Sequence, residues 1–139
     1  MEIALRNIGK EHLKNNRIIK HLNKPDIKIK ISRLHIEKLF VNIIKNALES
    51  MEGSGTLTIT TGKEQDGILI IFADTGKGIK EEDLKKIFEP DYTIHTQKGT
   101  GLGLSNSLLI AEHHNGKIEA ISEGPGKGTE IRVYLPFKK

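Results

Sequence analysis

Residues 32–51 read SRLHIEKLFVNIIKNALESM and carry the clearest helical pattern in the chain. Their apolar members recur at spacings of three and four residues, as one face of an α-helix requires. These members are Ile36, Leu39, Phe40, Ile43, Ile44, Ala47, Leu48 and Met51. Ser32 is a favourable N-cap, and the glycines from Gly53 onward end the run. The stretch therefore predicts an amphipathic helix that lies against a core.

Strand patterns occur on both sides of this helix, and shorter helical patterns lie between them. The predicted strands are Arg17–Leu22, Ile27–Ile31, Thr56–Thr61, Ile68–Ala73, Ile118–Ser122 and Glu130–Leu135. The further predicted helices cover 2–14, Glu81–Phe88 and Gly103–His114. This mixed order predicts an α+β fold, with a mostly antiparallel sheet and helices on one face. The strand at 68–73 is apolar throughout, which indicates cover on both of its faces.

Length and composition favour a single domain over residues 1–139. No apolar run approaches the roughly 20 residues that a membrane span needs. The charged residues near the N-terminus do not form a signal peptide pattern. Cysteine is absent, which excludes disulfides and thiolate metal sites and fits a reducing cytoplasm.

The net charge of +4 is unevenly distributed, because residues 1–38 hold ten Lys or Arg against four acidic residues. A basic segment of this kind can bind nucleic acid or an acidic partner, or can simply form a solvated face. No aromatic residue is interleaved with the charges before Phe40. We therefore favour the solvated face and expect no nucleic-acid binding.

Two asparagines on the long helix form the first candidate cluster. At 100° per residue, Asn42 and Asn46 lie side by side at the edge of the apolar face, with Lys45 and Glu49 near them. Amide oxygens at the rim of a cavity suit a hard cation such as Mg²⁺. The alternative is that both asparagines are ordinary surface residues.

The second cluster, Asp74-Thr75-Gly76-Lys77-Gly78-Ile79, follows the apolar strand directly. A carboxylate at the end of a strand can accept a hydrogen bond from an exocyclic amine. Glycines would let the backbone lie flat against a planar ring. The same residues would also suit an ordinary Asp-Thr-Gly turn.

The third cluster, Gly99-Thr100-Gly101-Leu102-Gly103-Leu104, leads into a helix. Free backbone N–H groups and the dipole at a helix N-terminus favour phosphate, although a flexible loop with a glycine start is an alternative. The spacing is not that of a dinucleotide-binding turn. Gly124–Thr129 also lacks the spacing of a P-loop.

In this order the clusters resemble the motifs of the GHKL ATPases, which include histidine kinases, gyrase-type topoisomerases, MutL and the ninety-kilodalton heat-shock chaperone. The matching stretches are Asn42–Ala47 (N box), Asp74–Gly78 (G1 box), Ile87–Pro90 (F box), Gly99–Leu104 (G2 box in its histidine-kinase form) and Gly126–Thr129 (last glycine box). The resemblance covers about residues 17 to 136. It implies the Bergerat fold, a two-layer α/β sandwich.

The resemblance also implies ATP and Mg²⁺ as ligands. Asn46 would bind Mg²⁺ between the ATP phosphates, and Asn42 would line the same catalytic site. Asp74 would accept the adenine amino group, supported by Thr129 through water, in a slot bounded by Gly76 and Gly78. The other implied nucleotide-binding residues are Lys45, Ile79, Lys98, Gly99, Thr100, Gly101, Leu102, Gly103 and Leu104.

One position indicates the branch of the superfamily. Hydrolysing members carry a Glu four residues before the Mg²⁺-binding Asn, and this chain has Asn42, which is no base at neutral pH. The resemblance then implies a protein-histidine kinase, which transfers the γ-phosphoryl group to a histidine. A nucleotide-binding module and a hydrolytic ATPase are the alternatives. His95 stands where the lid commonly has Lys, and Lys98 could replace it.

His12 is not expected to be the acceptor, because no His-Glu-x-x-x-Pro-like pattern surrounds it. The dimerisation, phosphoacceptor and sensor domains are therefore expected outside this chain. The expected partner is the histidine-bearing helical dimerisation domain of the same kinase, with a response regulator reached indirectly. We expect a monomeric, cytoplasmic domain, whose full-length protein could be anchored in a membrane.

Overall fold

A computed structural model of the chain describes residues 16–22, 33–51, 54–89 and 103–136. Four of the sequence predictions lie outside these residues: the helix at 2–14, the strand Ile27–Ile31, the Ser32 cap and the segment 90–102.

The described residues form a five-stranded mixed sheet. Its strands are β1 (Asn16–Leu22), β2 (Gly55–Glu64), β3 (Gly67–Asp74), β4 (Lys117–Ile121) and β5 (Thr129–Pro136), in the order β1-β2-β3-β5-β4. β1 pairs with β2 in parallel, and the other three pairs are antiparallel. The predicted mixed, mostly antiparallel sheet is confirmed.

Three helices accompany the sheet: α1 (Arg33–Ser50), α2 (Glu81–Leu84) and α3 (Gly103–His113). The apolar stripe of α1 is buried as its spacing predicts, with Leu39 and Ile44 fully enclosed. They share one core with Leu57 of β2, Phe72 of β3 and Ala111 of α3. Each such aliphatic side chain contributes about 1.5–3 kcal/mol on burial. α1 and α3 therefore form one layer and the sheet the other, as predicted.

The prediction that β3 is covered on both faces is wrong for the described residues. Ile70 and Phe72 point toward the helices and are buried, whereas Leu69 and Ile71 point away and are only half-buried. Ile71 lies between Thr60 of β2 and Arg132 of β5 in the register. Neighbouring strands rather than a second helical layer thus shield this outer face. The apolar run reflects partial cover by cross-strand neighbours.

The predicted helix at 81–88 is shorter than expected and ends at Leu84. Beyond it the Lys86 N–H donates to the Asp83 carbonyl at 2.8 Å, and the Glu89 N–H donates to the Lys86 carbonyl at 2.9 Å. These bonds close three-residue turns, which are tighter than the α-helical turn. Ile87 is buried, so the turns place one apolar side chain in the interior.

α1 and α3 run in opposite directions. The ring of His35, near the start of α1, lies 6.4 Å from that of His113, at the end of α3. The C-terminal end of α1 therefore lies toward the N-terminal end of α3. Asp74 ends β3 beside Thr129, which begins β5. These ends of helices and strands meet at one edge of the domain, where the polar clusters predicted from the sequence also lie.

Candidate functional site

The C-terminal end of α1 contacts the loop that follows β3. The Lys77 N–H donates to the Ser50 carbonyl at 3.2 Å, and a Cβ added to Gly76 would stand 2.2 Å from Ser50 Oγ. Because Asn42, Asn46 and Ser50 are spaced by four residues, they lie along one side of α1 at steps of about 6 Å. The two predicted clusters therefore belong to one site.

Asp74 is held by two backbone donors at the end of β3. Its Oδ1 accepts from the Gly76 N–H at 2.8 Å and from the Thr129 N–H at 3.2 Å. Both bonds reach the same oxygen, and Oδ2 has no hydrogen bond within the described residues. Burial raises the pKa of Asp74 from its ordinary value of 3.8, and the two backbone hydrogen bonds offset part of that rise. The site thus presents one fixed carboxylate oxygen as an acceptor.

Two buried hydroxyl groups flank this carboxylate, on Ser50 and Thr129, each residue 7% exposed. Within the described part of the chain, neither hydroxyl takes part in a hydrogen bond. Buried hydroxyls in proteins are nearly always bonded. Thr129 was predicted from the resemblance, but Ser50 was not. The signal for Ser50 was present, because it lies seven residues after Ile43 and three after Ala47, on the apolar face.

The glycines of the second cluster are required by packing of the protein on itself. Gly78 has φ 72°, and a Cβ there would stand 2.2 Å from the Gly124 carbonyl oxygen. At Gly76 the added atom would meet Ser50 and the Asp74 carboxylate. Gly76 and Gly78 are both buried. Contact of these glycines with a planar ring stays a prediction. The close approach of the loop after β3 to the turn at 124–128 and to the end of α1 is observed.

Ser122 connects the loop after β3 to the glycine-rich turn at 124–128. Its Oγ accepts from the Ile79 N–H at 3.0 Å and donates to the Gly128 carbonyl at 2.7 Å. The Gly126 N–H donates to the Lys77 carbonyl at 2.7 Å. Sequence reasoning missed this role, because a serine at the end of a strand gives no signal of a partner 43 residues away. The bonds fix the position of Thr129 relative to Asp74.

The side chains on α1 differ in how they are engaged. Asn46 is half-buried, and its amide has no hydrogen bond within the described residues. Asn42 is half-buried and has a bonding partner, and Lys45 is exposed. In the described ranges no group of three His, Asp or Glu side chains could hold a metal ion. A cation at this site could therefore take the amide oxygen of Asn46 but would need its other ligands from a nucleotide and water.

The remaining predicted site residues divide into two groups. Ile79 is buried, and the half-buried Leu104 packs against the core, so contact of either residue with a nucleotide stays a prediction. Gly103 begins α3. The other five, Lys98, Gly99, Thr100, Gly101 and Leu102, lie outside the described residues. The predicted phosphate loop therefore stays a prediction.

A cavity of about 730 Å³ lies away from this site. Its lining includes Leu69, Lys117 and Tyr134, which stand near the opposite ends of the strands from Asp74. None of the predicted site residues lines it. Because Asp74 and the other predicted site residues lie outside this cavity, we do not assign the nucleotide to it.

A two-layer α/β sandwich with a carboxylate at the end of β3, beside a helix that carries two asparagines, defines an ATPase domain of the Bergerat fold. The family model described as Histidine kinase-, DNA gyrase B-, and HSP90-like ATPase matches residues 31–139. The chain belongs to this family.

Relatives place the chain with the sensor kinases of that family. Sporulation kinase C of Bacillus subtilis (strain 168) is 42% identical over 103 residues, which are 74% of this chain and 24% of that protein. BaeS, a signal transduction histidine-protein kinase of Escherichia coli (strain K12), is 34% identical over 112 residues, 77% of this chain and 24% of that protein. The chain thus spans about a quarter of the length of these relatives.

A solved structure confirms the fold. The nucleotide-free catalytic domain of the histidine kinase ThkA superimposes with a TM-score of 0.83 at 28% identity, covering 98% of this chain and 88% of that one. The resemblance to a histidine-kinase catalytic domain is therefore confirmed. None of the described helices is both long and apolar enough to cross a membrane.

Proposed function

We propose that this domain binds ATP with Mg²⁺ and transfers the γ-phosphoryl group to a histidine on a separate helical dimerisation domain. The observation that carries the proposal is the arrangement of Asp74, Ser50 and Asn46. A fixed acceptor and a buried hydroxyl lie at one end of the site. One helical turn away along α1 lies the Asn46 amide, which has no hydrogen bond in the part of the chain that the structure describes. This spacing suits a base at one end and phosphates at the other.

The adenine base would bind at the Asp74 end. Asp74 Oδ2 would accept from the exocyclic amino group, and Thr129 would support that contact through water. Gly76 and Gly78 would bound the slot. This role uses the ionised carboxylate, which the two backbone hydrogen bonds from Gly76 and Thr129 favour, although burial raises the pKa of Asp74.

The phosphates would lie toward Asn46 and the N-terminus of α3. Asn46 would supply one oxygen ligand to Mg²⁺, with Asn42 lining the site, and the ion would neutralise charge on the transferring group. Lys45 is exposed on the same helix and could reach the outer phosphates. From the resemblance, the backbone amides of 99–104 and the side chain of Lys98 would complete the phosphate site.

Phosphoryl transfer is favoured over hydrolysis by Asn42. An amide cannot remove a proton from water at neutral pH, and the loss of a general base typically costs about 10²–10⁴ in rate. The protein would instead position ATP for in-line attack by an external imidazole. The histidine nitrogen would form the new P–N bond as the bond from the γ-phosphorus to the β-phosphate oxygen breaks, and ADP would be the leaving group.

We further infer that residues 1–139 form one domain and that the acceptor histidine lies outside it. His35 and His113 stand at the opposite end of α1 and α3 from Asp74. The partner would be the histidine-bearing hairpin of the same kinase, from which a response regulator would take the phosphoryl group. The isolated domain is expected to be monomeric.

Phosphoryl transfer can be tested with ATP labelled on the terminal phosphate and a histidine-bearing hairpin from a related sensor kinase. We expect Mg²⁺-dependent, acid-labile label on the hairpin. A hairpin whose histidine is replaced by glutamine and the Asp74→Asn domain serve as controls, and both should abolish the label. ATP binding without transfer to any related hairpin would contradict the proposal and favour a nucleotide-binding module.

A further inference from the structure

We propose that Ser50 is a base-reading residue, whose hydroxyl donates to the ring nitrogen N1 of adenine, directly or through one water. Ser50 would thereby set the preference for adenine over guanine. The inference rests on the proposed ATP binding but goes beyond it, because neither the resemblance nor the family match assigns a role to Ser50.

The burial of Ser50 is the first observation. The residue ends α1 and is 7% exposed, on the same face as the core residues Ile43 and Ala47. Its hydroxyl makes no hydrogen bond with any part of the chain that the structure describes. A serine in a helix commonly bonds the carbonyl four residues earlier, which here belongs to Asn46, and this bond is also absent. An unbonded buried hydroxyl costs free energy that a bound ligand would recover.

The position of the hydroxyl is the second observation. Ser50 Oγ and Asp74 Oδ1 lie 2.2 Å and 2.9 Å from the point where a Cβ on Gly76 would stand. The Ser50 hydroxyl and the Asp74 carboxylate therefore both pack against Gly76 and lie close to each other, and no side chain other than that of glycine fits between them. The backbone of Gly76 is fixed there by its bond to Asp74 and by the neighbouring bond from the Lys77 N–H to the Ser50 carbonyl.

The chemistry of the base gives this pair of groups a shared partner. On the Watson–Crick edge of adenine, the amino group is a donor and the adjacent N1 is an acceptor. An ionised Asp74 can only accept, so it matches the amino group, and N1 then requires a donor beside it. The hydroxyl of Ser50 can supply that donor. Guanine presents a carbonyl oxygen and an N1–H in these places. The carbonyl oxygen would face the Asp74 carboxylate, and because both groups are acceptors, guanine would be rejected.

A thermodynamic cycle between protein and ligand tests this contact. The dissociation constants of ATP and of 1-deaza-ATP, which has C–H in place of N1, are measured by calorimetry for the domain and for Ser50→Ala. We expect Ser50→Ala to weaken ATP about three- to tenfold and to leave 1-deaza-ATP nearly unchanged. Ser54→Ala, a change at an exposed serine four residues on, should alter neither constant.

Three results would overturn the inference while leaving ATP binding intact. Equal weakening of both nucleotides by Ser50→Ala would show a packing role, and unchanged ATP affinity would show no role. If Thr129→Val weakens ATP but not 1-deaza-ATP, and Ser50→Ala shows no such difference, the donor to N1 would be Thr129 instead. Absence of ATP binding by the unaltered domain would overturn the proposed function itself, so the two failures are distinguishable. Thermal melting of each variant confirms that it is folded.

Discussion

Asp74 is the residue at which stability and recognition oppose each other. Its carboxylate is partly desolvated, and this raises its pKa even though two backbone N–H groups bond to it. A group with a raised pKa binds its proton more tightly in the folded chain than in the unfolded one. Its ionisation therefore lowers the stability of the fold as the pH rises from about 3.8 through the raised pKa. An acid whose pKa is shifted by burial at the edge of a site is typical of a ligand-binding group.

Asp74→Asn should separate these two effects. The amide oxygen can still accept from Gly76 and Thr129, and the charge is gone. We expect the free energy of unfolding of the variant, relative to the unaltered domain, to increase as the pH rises from 4 to 7. ATP affinity should fall by tenfold or more, because the amide can turn a donor toward the adenine amino group. Urea denaturation and calorimetry across that range measure the two quantities, and a variant that loses stability relative to the unaltered domain would contradict the assignment.

Asn46 is expected to act on the phosphates and not on the base. Asn46→Asp changes the only unbonded amide on this side of α1 in the described residues and adds a charge beside the expected phosphates. We expect the rate of phosphoryl transfer to fall by about 10² or more, while the affinity for adenosine stays within about threefold. Gln65→Glu adds the same charge at the exposed β2–β3 turn, at the far end of the strands, and should change neither. Equal losses in the rate of phosphoryl transfer and in the affinity for adenosine would contradict a role of Asn46 at the phosphates.

At the scale of elements, α1 was predictable from the sequence because its apolar spacing is regular over the whole helix. Ser50 was not predicted, because a polar residue on an apolar face is read as the end of the pattern until its surroundings are known. For the described residues the cover of β3 was predicted wrongly, since an apolar strand shielded by cross-strand neighbours has the same composition as one packed between layers. The early end of α2 had no sequence signal that we recognised.

The end of α3 offers a test of local backbone conformation. Asn115 has φ 60°, and the next residue, Gly116, donates its N–H to the Ala111 carbonyl at 2.8 Å. Asparagine tolerates this left-handed conformation better than other side chains, and glycine tolerates it fully. We expect Asn115→Ala to lower the free energy of unfolding by about 1 kcal/mol, whereas Asn115→Gly should leave it unchanged or raise it. Equal effects of the two changes on urea denaturation would contradict this account.

At the scale of the whole molecule, the site depends on contacts between distant parts of the chain. The residue pattern indicated Asp74, whereas Thr129 was indicated only through the resemblance, and the contact between them follows from the pairing of β3 with β5. The bond between Ser122 and Ile79 spans 43 residues and has no periodic signature. Local patterns therefore predicted the elements, and the family motifs are the source of most of the predictions for the site. The strand order and the loop contacts required the structure.

The central claim is that this domain directs the γ-phosphoryl group to histidine and not to water, and Asn42 is the residue on which that claim depends. Asn42→Glu places a carboxylate where the hydrolysing relatives have their base. We expect this variant to release free phosphate faster than the unaltered domain, by up to about 10². Asn42→Gln keeps an amide at the same position and should give no such increase.

The most direct test follows both products of labelled Mg-ATP in one time course, with and without the histidine-bearing hairpin. The account predicts that label accumulates on the hairpin in acid-labile form much faster than free phosphate appears, and that little free phosphate forms when the hairpin is omitted. Rapid release of free phosphate by the unaltered domain alone, with no label on the hairpin, would contradict it and identify a hydrolytic ATPase.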